Sequence, residues 1–266
     1  MPSFNEIAPA QLMRLLGTPA APVLLDVRLA EDFALDPRLV PTARRAGHDA
    51  PPAMPPGTRA VCICRAGHRV SHAAAALLRT RGVVAEVLEG GMEGWVAEGL
   101  PAPPEAAIPE PRRGTLWVTR HRPKIDRIAC PWLVRRFVDP EARFLLVPPR
   151  EVTGVAALTG ATPFDVEDVA FSHRGGACTF DTMIDVFGLA HPALDAMATV
   201  VRAADTNRHD LAPEAAGLLA LSVGLSRAHR DDLAQLEAGM VLYDALYRWA
   251  RDGQGEGHDW PADRAA

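Results

Sequence analysis

A chain of 266 residues with a formal net charge of −5 has material for two ordinary domains. Its 48% apolar and 23% charged residues are ordinary for a folded globular protein and exclude an extended disordered chain. The acidic balance argues against a whole-molecule nucleic-acid binder, and no stretch approaches the roughly 20 apolar residues of a membrane span, so no membrane is expected as a partner.

The first residues, Met-Pro-Ser-Phe-Asn-Glu, lack the basic and apolar regions of a secretory signal. The four cysteines, Cys62, Cys64, Cys130 and Cys178, form no CxxC pair and no zinc-finger spacing. Few cysteines, one of them poised for reactivity, suit a reducing compartment, so a cytoplasmic location is expected.

In chain order, residues 7–16 read as a short amphipathic helix stopped at Gly17, and 23–27 as a buried strand. Glu31 opens a loop or short helix, and 41–59, rich in Pro, Gly, Arg and Ala, reads as a long surface connection. Val61, Cys62 and Ile63 are apolar and β-compatible, as in a buried parallel strand. Residues 70–81 follow as a helix with Gly82 at its stop, 83–88 as a strand and 92–97 as a short helix. This alternation predicts a doubly wound α/β layer with its chemistry at the carboxyl ends of strands, where Cys64 falls.

Between strand and helix lies Cys64-Arg-Ala-Gly-His-Arg69, with a thiol first, a glycine fourth and an arginine sixth. Loop N–H groups and the positive end of a helix dipole favour thiolate, the nucleophilic form of a cysteine. Arg65 and Arg69 add positive charge for an anionic substrate. The loop resembles the active-site loop of rhodanese-like sulfurtransferases. Val23-Leu-Leu-Asp-Val-Arg28 is similar to that family's early strand, and Leu88-Glu-Gly-Gly-Met-Glu-Gly-Trp95 to its late Gly-Gly-x-x-x-Trp signature. The family's usual Gly-His-Ile-Pro-Gly-Ala turn is replaced by Leu39-Val-Pro-Thr-Ala43.

The resemblance implies a catalytic Cys64 with Arg69 and Arg65, and substrate binding by Ala66, Gly67, His68, Asp26 and Arg28. The chemistry is persulfide transfer from a small anionic donor of the thiosulfate type to a thiol acceptor, with no cofactor required. A phosphatase is disfavoured, because cysteine phosphatases place the arginine one residue further from the nucleophile. For Cys64 a buried strand-end cysteine is the competing reading, and Gly67 with Arg69 favours the nucleophile.

Residues 101–111 hold five prolines, which no helix or central strand tolerates. The expected division is a first domain over 1–100, a semi-rigid linker over 101–113, a second domain over 114–252 and a frayed tail over 253–266. In the second half, 115–119 and 144–147 read as strands, 172–178 as a glycine-containing turn, and the chain from about 192 as almost all helix: 193–204, 213–221 and 227–251. The expectation is an α-rich α+β domain following the doubly wound sheet.

Residues 112–136 carry eight Arg or Lys against one Asp, a local +7. A solvated basic face and an oxyanion or polyanion site are both open readings, with nucleic acid the weaker option for want of a recognised motif. Pro131 fits the first position of a helix running to Phe137, which would place Cys130 at its cap as a reactive thiol beside Arg127. A buried structural cysteine beside Trp132 fits equally.

Residues 117–137, with His173-Arg-Gly-Gly-Ala-Cys-Thr-Phe-Asp181 and Ala203-Ala-Asp-Thr206, resemble the signatures of the chromate-resistance protein B family in its C-terminal domain. The resemblance implies a role in chromate or oxyanion stress, with chromate or sulfate as a further ligand. It brings forward Asp126, Arg127, Cys130, Arg135, His173, Cys178, Asp181 and Asp205 as second-domain candidates, of which His173, Cys178, Asp181 and Asp205, with Glu167 beside them, are the right residue types for a metal or acid–base site. Their spacing fixes no geometry, so the metal stays unknown. Two functions therefore stand: a sulfurtransferase acting through Cys64, or a non-catalytic oxyanion sensor.

Overall fold

The computed structural model describes residues 5–257, so most of the expected tail, 258–266, lies outside the described residues. In the first half β1 (Glu6–Ile7), α1 (Pro9–Leu15), β2 (Val23–Asp26), α2 (Ala30–Leu35), β3 (Arg44–Arg45), β4 (Arg59–Ile63), α3 (Arg69–Arg79), β5 (Val84–Leu88) and α4 (Gly91–Ala97) alternate along the chain. The strands form one parallel sheet in the order β1-β5-β4-β2-β3. Cys62 in the central strand pairs with Leu25 on one side and Val87 on the other. A strand buried on both faces needs a continuous apolar run, and β4 supplies Ala60, Val61, Cys62 and Ile63.

Helix α3 covers one face of that sheet. Its buried residues Ser71, Ala74, Ala75 and Leu78 follow the i, i+3, i+4, i+7 spacing of one helical stripe. Ala74, Ala75 and Leu78 pack in a cluster with Leu25, Cys62 and Val87. Two details depart from the sequence expectation. Residues 41–59 are not wholly a surface connection, because Ala43 is buried and Arg44–Arg45 adds an edge strand beside β2. The edge strand Glu6–Ile7 was not anticipated, since two residues carry no periodicity.

The second half contains β6 (Leu116–Arg120), α5 (Asp126–Leu133), β7 (Arg143–Val147), α6 (Val152–Thr159), β8 (Thr162–Pro163), α7 (Thr179–Val186), α8 (Pro192–Asp205), α9 (Glu214–Ala228) and α10 (Asp232–Arg248). Its three strands form a small parallel sheet in the order β7-β6-β8. Trp117 of β6 is buried against Phe164, Phe171 and Phe187, with ring centroids 6.1, 5.3 and 6.4 Å away. The expected helix over 227–251 is divided: α9 ends at Ala228, Asp231 caps α10 through its side chain, and a π turn, Trp249–Gly253, closes it.

Pro131 does not open a helix. Asp126 does, and Pro131 sits inside α5, which runs on into a π turn, Val134–Val138. The segment starts early because Ile125 takes a left-handed φ of 44°, so the chain turns sharply ahead of Asp126.

The halves share one core. Leu12, Leu16 and Trp95 from the first belong to the same buried cluster as Trp132, Phe137 and Tyr247 from the second. At Gly17 a side chain would stand 2.5 Å from the Tyr247 ring and 2.6 Å from Phe137, so the close approach requires glycine there. The proline stretch is tied down along its length rather than spanning a gap. Trp95 Nε1 donates to Pro101 O at 2.8 Å, Leu39 N to Pro103 O at 2.8 Å and Glu105 N to Pro37 O at 2.9 Å, while Ile108 is buried in the common core.

Candidate functional site

Cys64 ends strand β4, and its side chain is nearly closed to solvent at 5% exposure. The loop folds back on it: His68 N donates to Cys64 Sγ at 3.3 Å, and Ser71 Oγ lies 3.0 Å away. The loop is clamped by the start of α4, where Met92 N donates to Cys64 O at 2.9 Å and Glu93 N to Arg65 O at 3.0 Å. That clamp depends on glycine at 91. Its φ is 57°, and a Cβ there would stand 2.5 Å from Gly67 N. The Gly-Gly of the late motif is thus a backbone device that lets two loops touch.

The expected substrate groups divide. Arg69, first residue of α3, is exposed and makes no ion pair among the described residues. Ala66 and Gly67 are half-buried in the loop and His68 is exposed at its end. Arg65 reaches acids, with Nε 2.7 Å from Glu93 and Nη1 3.6 Å from Asp32, while its side chain stays 56% exposed. Asp26 and Arg28 are buried against each other: Arg28 Nε donates to Asp26 Oδ2 at 2.9 Å and Arg45 Nη1 to Asp26 Oδ1 at 2.8 Å. Arg28 also donates to Asp36 O and Arg38 O. This pair organises the loop after β2 and has no face left for a substrate.

The second half assembles a cluster around His173. Its Nε2 lies 3.2 Å from Asp205 Oδ2, 3.5 Å from Asp126 Oδ2 and 3.6 Å from Asp165 Oδ1. Asp126 opens α5, Asp205 ends α8, and His173 and Asp165 sit on the irregular segment between β8 and α7. Thr179 joins them, donating from N to Asp126 Oδ2 at 2.6 Å and from Oγ1 to Asp165 Oδ1 at 3.0 Å. Arg120 and Arg127 reach Asp165 Oδ2 at 2.9 and 3.4 Å.

The electrostatics are those of acids held together away from water. The bond to Asp126 raises the His173 imidazole to about 9. Burial, reinforced by Asp126 and Asp165, lifts Asp205 to about 7, and burial raises Asp126 as well.

Other candidates have structural work. Cys130 is not a helix cap but lies inside α5, and burial, with Asp126 adding, pushes its thiol well up instead of lowering it. Cys178 is buried at the N-cap of α7 and is also pushed up by burial. Asp181 accepts from Cys178 N at 2.9 Å and from Arg202 Nη1 at 2.6 Å, tying α7 to α8. Arg135 pairs with Glu237 at 2.6 Å and lies over the Phe144 ring. Glu167 is exposed.

The basic segment dissolves into specific pairs. Arg112 meets Glu105, Arg113 meets Glu141, Arg120 meets Asp165 and Arg136 meets Asp244. Arg44, Arg113 and Arg135 also line a cleft of about 770 Å³ between the halves, together with Glu105, Glu110 and Glu141. Sequence reasoning missed Asp165, an ordinary loop aspartate to the eye. Its signal is conformational, a left-handed φ of 52°, which sequence does not display.

A rhodanese-like domain model matches residues 8–98, and the model of the ChrB C-terminal domain matches 117–250. Protein ChrB of Cupriavidus metallidurans is 34% identical over 141 residues, covering 52% of this chain but only 42% of that protein. The chain therefore spans less than half the length of that relative. Among solved structures, a rhodanese-related protein from Thermoplasma volcanium is 22% identical, with a TM-score of 0.32 over 37% of this chain and 97% of its own. A probable thiosulfate sulfurtransferase is 28% identical, with a TM-score of 0.31 over 37% of this chain and 47% of its own. With a rhodanese-like domain ahead of the matched half, the chain belongs to the family defined by the ChrB C-terminal domain.

Proposed function

We propose that the protein is a sulfurtransferase that carries sulfur as a persulfide on Cys64, in the service of chromate or other oxyanion and thiol stress. The observation that supports this most is the clamped loop, in which His68 N–H already addresses Cys64 Sγ and the Gly67–Gly91 contact fixes the turn. In the first step the Cys64 thiolate attacks the outer sulfur of an anionic donor such as thiosulfate. The donor S–S bond breaks, and sulfite leaves with the bonding electron pair. A thiolate acceptor then attacks the outer sulfur of Cys64–S–SH and returns the Cys64 thiolate. Loop N–H groups offset the negative sulfur, and the unpaired Arg69 draws in the donor. The stress role comes from the likeness to ChrB, and cytoplasmic work in a reducing compartment is part of the same proposal.

Intact-mass measurement after thiosulfate treatment tests this directly. Gain of one sulfur, reversed by cyanide and absent in Cys64→Ser, is the expected result. A folded protein that takes up no sulfur would overturn it. Retained sulfate or chromate affinity in Cys64→Ser would then make the loop an anion-binding sensor.

A further inference from the structure

Sulfur transfer leaves the part-buried cluster around His173 without a task. We propose that Asp126, His173 and Asp205 bind one divalent first-row metal cation of the manganese, iron or zinc class. The three side chains come from separate elements and converge so that one donor atom of each lies within 4.8 Å of the others. His173 Nε2 stands 3.2 Å from Asp205 Oδ2 and 3.5 Å from Asp126 Oδ2. Ligands about 2.1 Å from one cation, at tetrahedral to octahedral angles, are about 3.0–3.4 Å apart, so both His173 spacings are already near that range, while the two carboxylates stand at most 4.8 Å apart.

A second observation points to a missing partner. The Asp126 side chain is wholly buried and faces the cluster. Its Oδ2 is held by Thr179 N, while Oδ1 has no hydrogen-bond partner among the described residues. A carboxylate oxygen left this way is costly unless something positive reaches it. The backbone agrees, because the β-branched Ile125 beside Asp126 and Asp165 itself both take left-handed φ, at 44° and 52°. Such strain persists where the surroundings hold groups in a required geometry.

The neighbours behave as an outer layer that orients ligands. Asp165 has both oxygens engaged, by Thr179 Oγ1 on one side and Arg120 and Arg127 on the other, so it positions the set rather than completing it. Two carboxylates and an imidazole favour manganese, iron or zinc over calcium, which prefers oxygen alone, and over copper(I), which prefers sulfur. The His173 side chain is 42% exposed, so one side of the ion would face water, with Arg127 beside it to steady an anion bound there.

The competing arrangement is an imidazolium that serves as the acids' own counter-ion and leaves no room for a metal. The test uses the full chain, stripped with a chelator and dialysed. Manganese(II) is titrated while its free-ion paramagnetic resonance signal is followed, and zinc uptake is measured by equilibrium dialysis with elemental analysis. One equivalent of at least one ion should bind per chain. Asp205→Asn and His173→Gln, at part-exposed positions that should fold by circular dichroism, should each weaken it at least about tenfold, with exposed Glu167→Gln unchanged. Absence of saturable binding for both ions would overturn the proposal, as would binding that neither variant weakens.

Discussion

The Cys64 loop and the His173 cluster are built by opposite means. The first is a run of consecutive residues whose geometry is made mostly by backbone, with Gly67 and Gly91 in close approach and the His68 N–H turned onto Cys64 Sγ. The second is made by side chains from four places along the chain, brought together only when α5, α7 and α8 pack. A local site survives much disturbance elsewhere, whereas a dispersed one depends on the whole fold. Yet Met92 beside the Cys64 loop and Cys178 beside the His173 cluster belong to one hydrophobic core, which limits their independence, although Cys64 itself packs in a second cluster under α3.

Separating the two sites experimentally sharpens that contrast. The largest effect is expected from Cys64→Ser, which should abolish sulfur uptake by mass spectrometry while leaving manganese binding unchanged. Phe137→Ala should break the contrast, because it opens the core common to both halves. A loss of about 3–5 kcal/mol in denaturant unfolding, in one transition reported alike by probes in either half, is the expected outcome. Gly91→Ala acts on one side only: the forced Cβ should cost about 2–3 kcal/mol and slow sulfur uptake, with metal affinity retained.

The smallest effect concerns α8, the helix that carries Asp205. His191 caps its start, accepting from Ala193 N at 3.3 Å through Nδ1, which only an unprotonated nitrogen can do. Burial, with Arg251 adding and Asp195 opposing, holds this imidazole below the ordinary histidine value of about 6.5. Its contribution is therefore present above that value and fades as pH falls through it toward the lower folded value. His191→Asn, a cap that does not titrate, should remove that part of the slope between pH 7 and 5, an effect of about 0.5 kcal/mol in chemical denaturation.

The contrast also explains what sequence could reveal. The strand–loop–helix around Cys64 was legible because apolar runs, a terminal glycine and helix formers each act locally. The parallel sheet followed from their alternation. Asp26 and Arg28 were legible as a pair but not as a closed one, since Arg45 completes them from another strand. Cys130 misled through Pro131, whose preference for a helix start lost to the turn at Ile125. His173 and Asp205 could be named as suitable types and Asp126 only as the lone acid of a basic segment; their convergence comes from packing, and Asp165 carried no signal at all.

Gly17 has a practical consequence for anyone dissecting the molecule. With Phe137 and Tyr247 seated where its side chain would be, the first half presents a socket and the second half a plug. Expressing either piece alone, with a stop placed in the proline-rich stretch, would leave aromatic rings and Leu12, Leu16 and Ile108 open to water. Such fragments would be sticky, and a failed assay on one would report the cut rather than the chemistry. Point substitutions in the intact chain are the sound way to give each site its own account.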